Sequence, residues 1–587
     1  NPYWIAYRNL RLNNKKRYMA SAGLSYQILD WLNVAGRVRI DNTHSEYEGK
    51  LYASSSNTLT DGSSQGHYTV NNGQYSQTYA DVLVNINKRI QDFTIVANIG
   101  ASYSGVTSKE LGYAGPIRET GIPNLFNVYD LDNAKKRATQ VGWREATESI
   151  FASAEVGWKS MLYLTVTGRN DWASQLTHSP QASFFYPSVG LSAVITEILK
   201  LPDWVDYLKV RGSFSSVGNP YPRFLTYPTY SYDANKQDWK SQTNYPIGKL
   251  YPERTDSWEV GLDATLFKDF KLSGSFYYAN TYNQTFDPRL PVSSGYDKLY
   301  VQTGYVRNYG FEAMLSYGHR WGDFGWDSSF TFSANKNEIV ELVKDYVHPE
   351  TGKTYNVDKL ELKTDEGRGF GKAKFILKEG GTLGDLYTHA DLKRDINGNV
   401  LIDDSGNVTA IDNAGDIKLG SVLPKANLAW NNSFSYKGIN AGFLLTARLG
   451  GIVYSATQAY LDLYGVSETS AAARDAGGVW INGRSRVNPQ SFYEVVASQS
   501  GLPTYYTYSA TNLRLQEAHI GYTVPRRWLG NVCDINVSLV GRNLWMIYCK
   551  APFDPEAVAT TNNYYQGIDY FMMPSTRNIG FNIKINF

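Results

Sequence analysis

Asn578-Ile579-Gly580-Phe581-Asn582-Ile583-Lys584-Ile585-Asn586-Phe587 alternates without a break, with Ile579, Phe581, Ile583, Ile585 and Phe587 on one parity and Asn578, Gly580, Asn582, Lys584 and Asn586 on the other. Successive side chains of an extended chain point to opposite faces, so this stretch reads as a strand with one apolar and one polar face. The same period sets Ala20, Ala22, Leu24 and Tyr26 against Ser21, Gly23, Ser25 and Gln27, and Leu32, Val34, Val38 and Ile40 against Asn33, Arg37, Arg39 and Asp41. Segments near 78–87, 93–103, 149–159, 162–169, 184–194, 207–215, 257–266, 271–281, 308–317, 325–335, 427–436, 441–449, 513–524 and 534–544 repeat it, giving roughly seventeen strands.

Composition bounds what such strands can build. The 587 residues carry 57 basic and 55 acidic side chains, a net charge of +2, which argues against a nucleic-acid binder held by a basic face. Aromatics reach 14% while the hydrophobic fraction is only 42% and the mean hydropathy −0.39. No run of about 18 apolar residues occurs, which excludes helical membrane spans but not a membrane β-barrel, whose strands are apolar on one face only. A soluble β-sandwich or propeller would also alternate, but the links argue against it. Short links at 28–30, 159–161, 267–270 and 437–440 alternate with long polar ones near 42–77, 104–148, 216–256, 336–425, 450–512 and 546–576. Short turns on one side and long loops on the other are the pattern of an outer-membrane barrel. The expected fold is all-β: a transmembrane antiparallel β-barrel with long extracellular loops.

This reading orients the chain. The first strand runs into a short turn, so residues 1–16 belong to an external loop, and the last strand leaves Phe587 in the periplasm. A closed barrel with both ends in the periplasm needs an even strand count, so at least one strand is expected before Asn1. Large outer-membrane transporters have about 22 strands and a plugged lumen. Residues 1–587 are accordingly expected to be the C-terminal part of a barrel, with about five strands and the plug upstream. The opening Asn1-Pro2-Tyr3-Trp4 is neither an initiator Met nor a signal peptide. Cys533 and Cys549, some 50 Å apart along a strand, are expected to be free thiols.

Candidate chemistry is sparse. Seven histidines show no metal-ligand spacing. Gly62-Ser63-Ser64-Gln65-Gly66 fits G-x-S-x-G formally but lies in a polar loop, without the strand and helix of a nucleophile elbow. No enzyme is expected. Asp395, Asn397, Asn399 and Asp403 have oxygen ligands at a spacing reminiscent of a Ca2+ loop; the competing reading is a pair of Asx and Gly turns, since the bidentate Glu is absent. Ring-bearing residues crowd the long loops: Tyr227, Tyr230, Tyr232, Trp239, Tyr464, Trp480, Tyr505, Tyr506, Tyr564 and Tyr565. Beside Asn, Gln and Ser they suit a sugar or peptide ligand, although loop packing and an interfacial girdle also use aromatics.

An ordered set of motifs resembles the SusC-like (SusC/RagA) TonB-dependent transporters of Bacteroidota outer membranes. It comprises Leu208-Lys209-Val210-Arg211-Gly212-Ser213-Phe214, Pro252-Glu253-Arg254-Thr255, Val306-Arg307-Asn308-Tyr309-Gly310-Phe311-Glu312, Leu513-Arg514-Leu515-Gln516, Gly541-Arg542-Asn543-Leu544-Trp545, Phe553-Asp554-Pro555-Glu556 and Pro574-Ser575-Thr576-Arg577. The resemblance implies active import of oligomeric nutrients, glycans most often and peptides in some members. It implies as partners a SusD-like surface lipoprotein acting as a lid, the N-terminal plug-bearing part of the same protein, and the TonB complex acting through that part. Outer-membrane lipids and lipopolysaccharide would surround the wall, and the barrel-assembly machinery would read Phe587 as its signal. A passive porin or a surface adhesin is the alternative from another class.

Overall fold

The structure, a computed structural model, describes residues 2–225, 230–233, 238–240, 244–245, 250–286, 298–299, 301–347, 352, 354–362, 372–560 and 566–586. Seventeen strands form one antiparallel sheet in which each pairs with the next in sequence. They are β1 Asn9–Leu29, β2 Leu32–Tyr52, β3 Gly66–Ile90, β4 Phe93–Pro116, β5 Arg137–Trp158, β6 Leu162–Ala173, β7 Ser183–Val194, β8 Val205–Asn219, β9 Glu253–Leu266, β10 Phe270–Phe286, β11 Val301–Trp321, β12 Phe324–Glu341, β13 Ala426–Tyr436, β14 Ile439–Leu449, β15 Asn512–Val524, β16 Asp534–Cys549 and β17 Asn578–Asn586. All seventeen alternating segments are strands. Among the described residues, β1 pairs only with β2 and β17 only with β16, so the sheet has two free edges.

The chain divides into two compact units: residues 1–191, 215–254 and 289–300, and residues 192–214, 255–288 and 301–587. In the first, register carries the parity from strand to strand. Ala22 faces Val38, Val38 faces Ala80, Ala80 faces Tyr103, while Arg37 faces Asp81 and Asp81 faces Ser102. In the second, Leu315 faces Phe330, Phe330 faces Trp430 and Trp430 faces Leu445; further on, Ile520 faces Leu539 and Leu539 faces Phe581. Within each unit mainly apolar side chains thus line up on one parity and polar ones on the other. Leu24 is 86% and Phe581 78% exposed, so the apolar rows have no protein covering them.

The short turns follow from local conformation. Lys159 and Ser160, Phe267 and Lys268, and Lys437 and Gly438 all take positive φ, the conformation of the central pair in hairpin turns whose twist matches that of the paired strands. At these turn ends of the second unit the rings of Trp204, Phe267, Phe270, Tyr317, Trp326, Phe434, Phe443 and Trp430 follow one another at centroid separations of 4.7–6.5 Å. That continuous belt has the composition of a membrane–water interface.

The expected loop boundaries need correction. Residues 9–16, 42–52, 66–77, 104–116 and 137–148, read as external loop, are paired strand. At 25 residues β3 runs about 80 Å, against the 9–11 residues that cross a bilayer. Beyond the hydrocarbon both faces meet water, so pairing continues after the two-residue period in hydropathy has gone. The cysteines agree with expectation: both are free, Cys533 just before and Cys549 at the far end of β16.

Candidate functional site: the polar wall and the loop core

The polar rows carry paired charges. In the first unit Arg37 reaches Asp81 at 3.0 Å and Arg169 reaches Asp171 at 2.6 Å, with Arg169 also donating to Ser149 and Tyr186 to Asp171. In the second, Arg211 on β8 spans Glu259 and Asp263 on β9 at 3.2 and 2.7 Å. A concavity of about 830 Å³ along this wall is lined on the polar parity by Ser273, Glu312, Thr331, Ser333, Thr446 and Arg448. Placed on the apolar rows at the bilayer centre, one such cation would cost about 2–4 kcal/mol, so the parity is enforced energetically.

Above the strands of the second unit the loops build a hydrophobic core of their own, from Phe375, Leu386, Tyr454, Phe492, Val496, Leu502 and Ile568 among others. Three helices contribute, α1 Ala456–Leu463, α2 Glu468–Asp475 and α3 Pro489–Val496, each started by a side-chain cap: Ser455, Ser467 and Asn488. The Ser455 cap also donates to Asp569 at 2.5 Å. Asp462 on α1 accepts from Tyr506 at 3.0 Å and from Ser467. Burial, then the Asp462 charge, drives the Tyr506 hydroxyl well above the ordinary phenol range. At the loop surface Asp416 accepts from Lys359 at 2.7 Å and lies 3.1 Å from Lys378; these bonds hold its carboxyl at about 2.

Four of the sequence motifs meet in one cluster. Arg514 on β15 is bidentate to Asp554, with a shorter contact of 2.8 Å, and reaches Glu556 at 3.2 Å and Asn543 on β16 at 3.2 Å. Asn543, in a strand irregularity at φ 52°, donates onward to the Thr576 carbonyl at 3.2 Å. Burial would raise the Asp554 carboxyl, but the Arg514 bond and the Glu556 N–H outweigh it and hold it below the ordinary range. The motifs were visible in the sequence as a family signature; that they form one buried ion cluster was not. A fifth motif has a steric reason: a Cβ at Gly310 would sit 2.4 Å from the Ala334 carbonyl oxygen.

The predicted ligand residues fall into different settings. Tyr230 and Trp239 are exposed, and Trp239 packs edge-on to Tyr232 at 5.3 Å across a small hairpin of Ser231–Asp233 and Asp238–Lys240. Tyr464, just after α1, is exposed; Trp480 is exposed with the Arg486 guanidinium 4.4 Å over its ring. Tyr505 is half-buried against Phe492, and Tyr506 is buried in the loop core, so its ring offers no face to a ligand. Tyr227, Tyr564, Tyr565 and Phe587 lie outside the described residues.

Asp395 and Asp403 open two successive Asx turns. One carboxylate oxygen of Asp395 accepts from the N–H groups of Asn397 and Asn399 and the other from the Asn399 side chain, while Asp403 accepts from Ser405 and Asn407. These carboxylates are turned onto their own backbone, as in the reading of two Asx and Gly turns. In the G-x-S-x-G stretch Ser63 donates to the Ile117 carbonyl and Ser64 to Glu119, inside a loop that leads into β3.

A family model described as TonB dependent receptor-like, beta-barrel, matches residues 1–544. The chain belongs to the TonB-dependent receptor β-barrel family. Such receptors are outer-membrane proteins, and the apolar rows are the surface turned to lipid. Among curated proteins, TonB-dependent receptor P3 of Formosa agariphila is 23% identical over 100% of this chain and 59% of its own length. TonB-dependent receptor SusC of Bacteroides thetaiotaomicron is 24% identical over 68% of this chain and 40% of its own. Among solved structures, that of the RagAB peptide transporter superposes with a TM-score of 0.74 at 17% identity, covering 100% of this chain and 63% of that one, a likeness of fold. The chain therefore spans less than two thirds of the TonB-dependent receptors it matches.

Proposed function

We propose that this chain is the wall and loop portion of a SusC-like TonB-dependent importer of oligomeric nutrients. The observation that carries the reading is a sheet whose charged, internally paired face is kept apart from an uncovered apolar face, capped by loops with their own core and with exposed rings at Tyr230, Trp239, Tyr464 and Trp480. A polar inner face passes hydrated oligomers, and flat rings grip sugar or peptide faces. Glycans are the first substrate class and peptides the second; the fold likeness to a peptide transporter supports keeping the second.

The unpaired edges of β1 and β17 support closure by strands outside these residues, and the same upstream part would carry the plug and the segment that TonB engages. A SusD-like lipoprotein would lie over the external loops. The full-length protein with its lipoprotein should take up labelled oligomers in cells, and uptake should stop on dissipating the proton gradient or deleting TonB. Uptake that continues at the same rate in both conditions would establish a passive porin instead.

A further inference from the structure

Two cations, Arg307 and Lys336, lie on the lipid-facing side just beyond the apolar band. On β11 the outward row runs from Tyr317 in the lower belt through Leu315, Ala313 and Phe311 to Tyr309, and on β12 from Trp326 through Phe330, Phe332 and Ala334 to Lys336. Eight residues separate Tyr317 from Tyr309, about 26 Å of strand, which matches an apolar band about 25 Å tall. Tyr309 stacks on Tyr278 at 6.4 Å, and Trp258 packs on Phe214 at 4.7 Å, which marks a second aromatic belt at the external boundary. Between the belts these rows of β11 and β12 hold no charge.

The charges begin at the second belt. Exposed Lys336 sits opposite Tyr309 with its ammonium 5.5 Å from that ring, and Arg307 sits opposite Glu338 with its guanidinium 5.5 Å from the rings of both Tyr278 and Tyr305. Arg307 donates to the Tyr305 hydroxyl at 2.9 Å, its carboxylate neighbour Glu338 is no nearer than 3.9 Å, and Glu341 lies further up the same row, opposite Tyr305. At the same height the inward residues are occupied. Val306 and Ile339 are buried against Leu342, Leu360 and Leu377, and Asn337 bonds to Asn308 and to the Leu383 N–H. The loops thus cover the inward side of this rim and leave the cationic side to the membrane.

We propose that Arg307 and Lys336, framed by Tyr278, Tyr305 and Tyr309, bind a phosphate group of an outer-leaflet lipid. The belt sets the depth, Glu338 lies too far from Arg307 to neutralise it closely, and a planar guanidinium beside an exposed ammonium suits phosphate oxygens. This rests on the outer-membrane reading but not on any substrate.

The test uses full-length protein with its partner in detergent, exposed to the phosphorylated glycolipid of the outer leaflet or to its enzymatically dephosphorylated form, with retained lipid counted by native mass spectrometry. Heat-modifiable migration reports insertion separately. Each basic residue near an anionic surface is worth about fivefold, so the R307Q/K336Q variant should retain the phosphorylated lipid about twenty-five-fold more weakly. E338Q should retain more. Equal retention by wild type and R307Q/K336Q, equal retention of both lipid forms, or displacement by millimolar inorganic phosphate would overturn the proposal while an inserted barrel leaves the membrane reading intact. If R307Q/K336Q fails to insert, absence of a gain in E338Q overturns it equally.

Discussion

Replacing Arg514 with Met should open the last external loop without disturbing the wall. The Arg514 side chain is 6% and the Asp554 side chain 11% exposed, so removing the guanidinium strands a nearly buried carboxylate. Breaking such a pair from one side costs about 3–5 kcal/mol. Glu556, at 42% exposure, adds little because water screens it. Taking about 3 kcal/mol, the open population of residues 550–560 and 566–577 should rise on the order of a hundredfold. Amide exchange of those residues in the inserted protein reads this directly, with heat-modifiable migration as control. In R514M/D554N the stranded charge is gone, so the double variant should exchange more slowly than R514M alone. Exchange in R514M within about twofold of wild type, or strictly additive single and double variants, would refute the account of this cluster.

Phe332→Arg, on the lipid-facing row, should cost about 2–4 kcal/mol and lower the inserted fraction, whereas Ser333→Arg, on the polar wall, should insert at wild-type level; quantifying folded barrel in outer membranes checks both. The carboxyl of Asp416 is depressed from 3.8 to about 2, so its pairing with Lys359 and Lys378 should stabilise the loops fully above about pH 4 and fade as pH falls toward 2, read as amide exchange of residues 373–378 and 416–418 against pH. Chelation with EDTA should leave exchange of residues 395–407 unchanged, because the Asx turns hold themselves. Trp239→Ala should reduce oligomer uptake with no change in inserted protein, measured by uptake and surface labelling together.

The strands were legible because bilayer and lumen impose opposite demands on alternate residues, and every alternating segment from Ala20 to Ile585 is paired in the sheet. Where both faces meet water the signal fails, so the upper halves of β2 to β5 passed for loops although their backbones stay paired. The loop core was hidden for a related reason: Leu386, Tyr454, Val496 and Ile568 come from four separate segments and show no period. Tyr506 illustrates the cost at the candidate site. Its neighbour Tyr505 and the exposed Trp480 look the same in sequence, and only the fold reveals that Asp462 holds the Tyr506 hydroxyl inside. Arg514, Asn543, Asp554 and Thr576 stood in recognisable motifs, but spacing along the chain carries no information about a cluster assembled across two strands and a loop.

The most direct test is a single-cysteine scan of 535–541 on β16, each site carrying a small fluorophore, in full-length protein reconstituted with brominated lipids. Residues 535, 537 and 539 face Val524, Tyr522 and Ile520 on the apolar parity, so they should be quenched, and 536, 538 and 540 should not. Quenching that is uniform along the strand, or strongest at 536, 538 and 540, would contradict the division of this sheet between lipid and water.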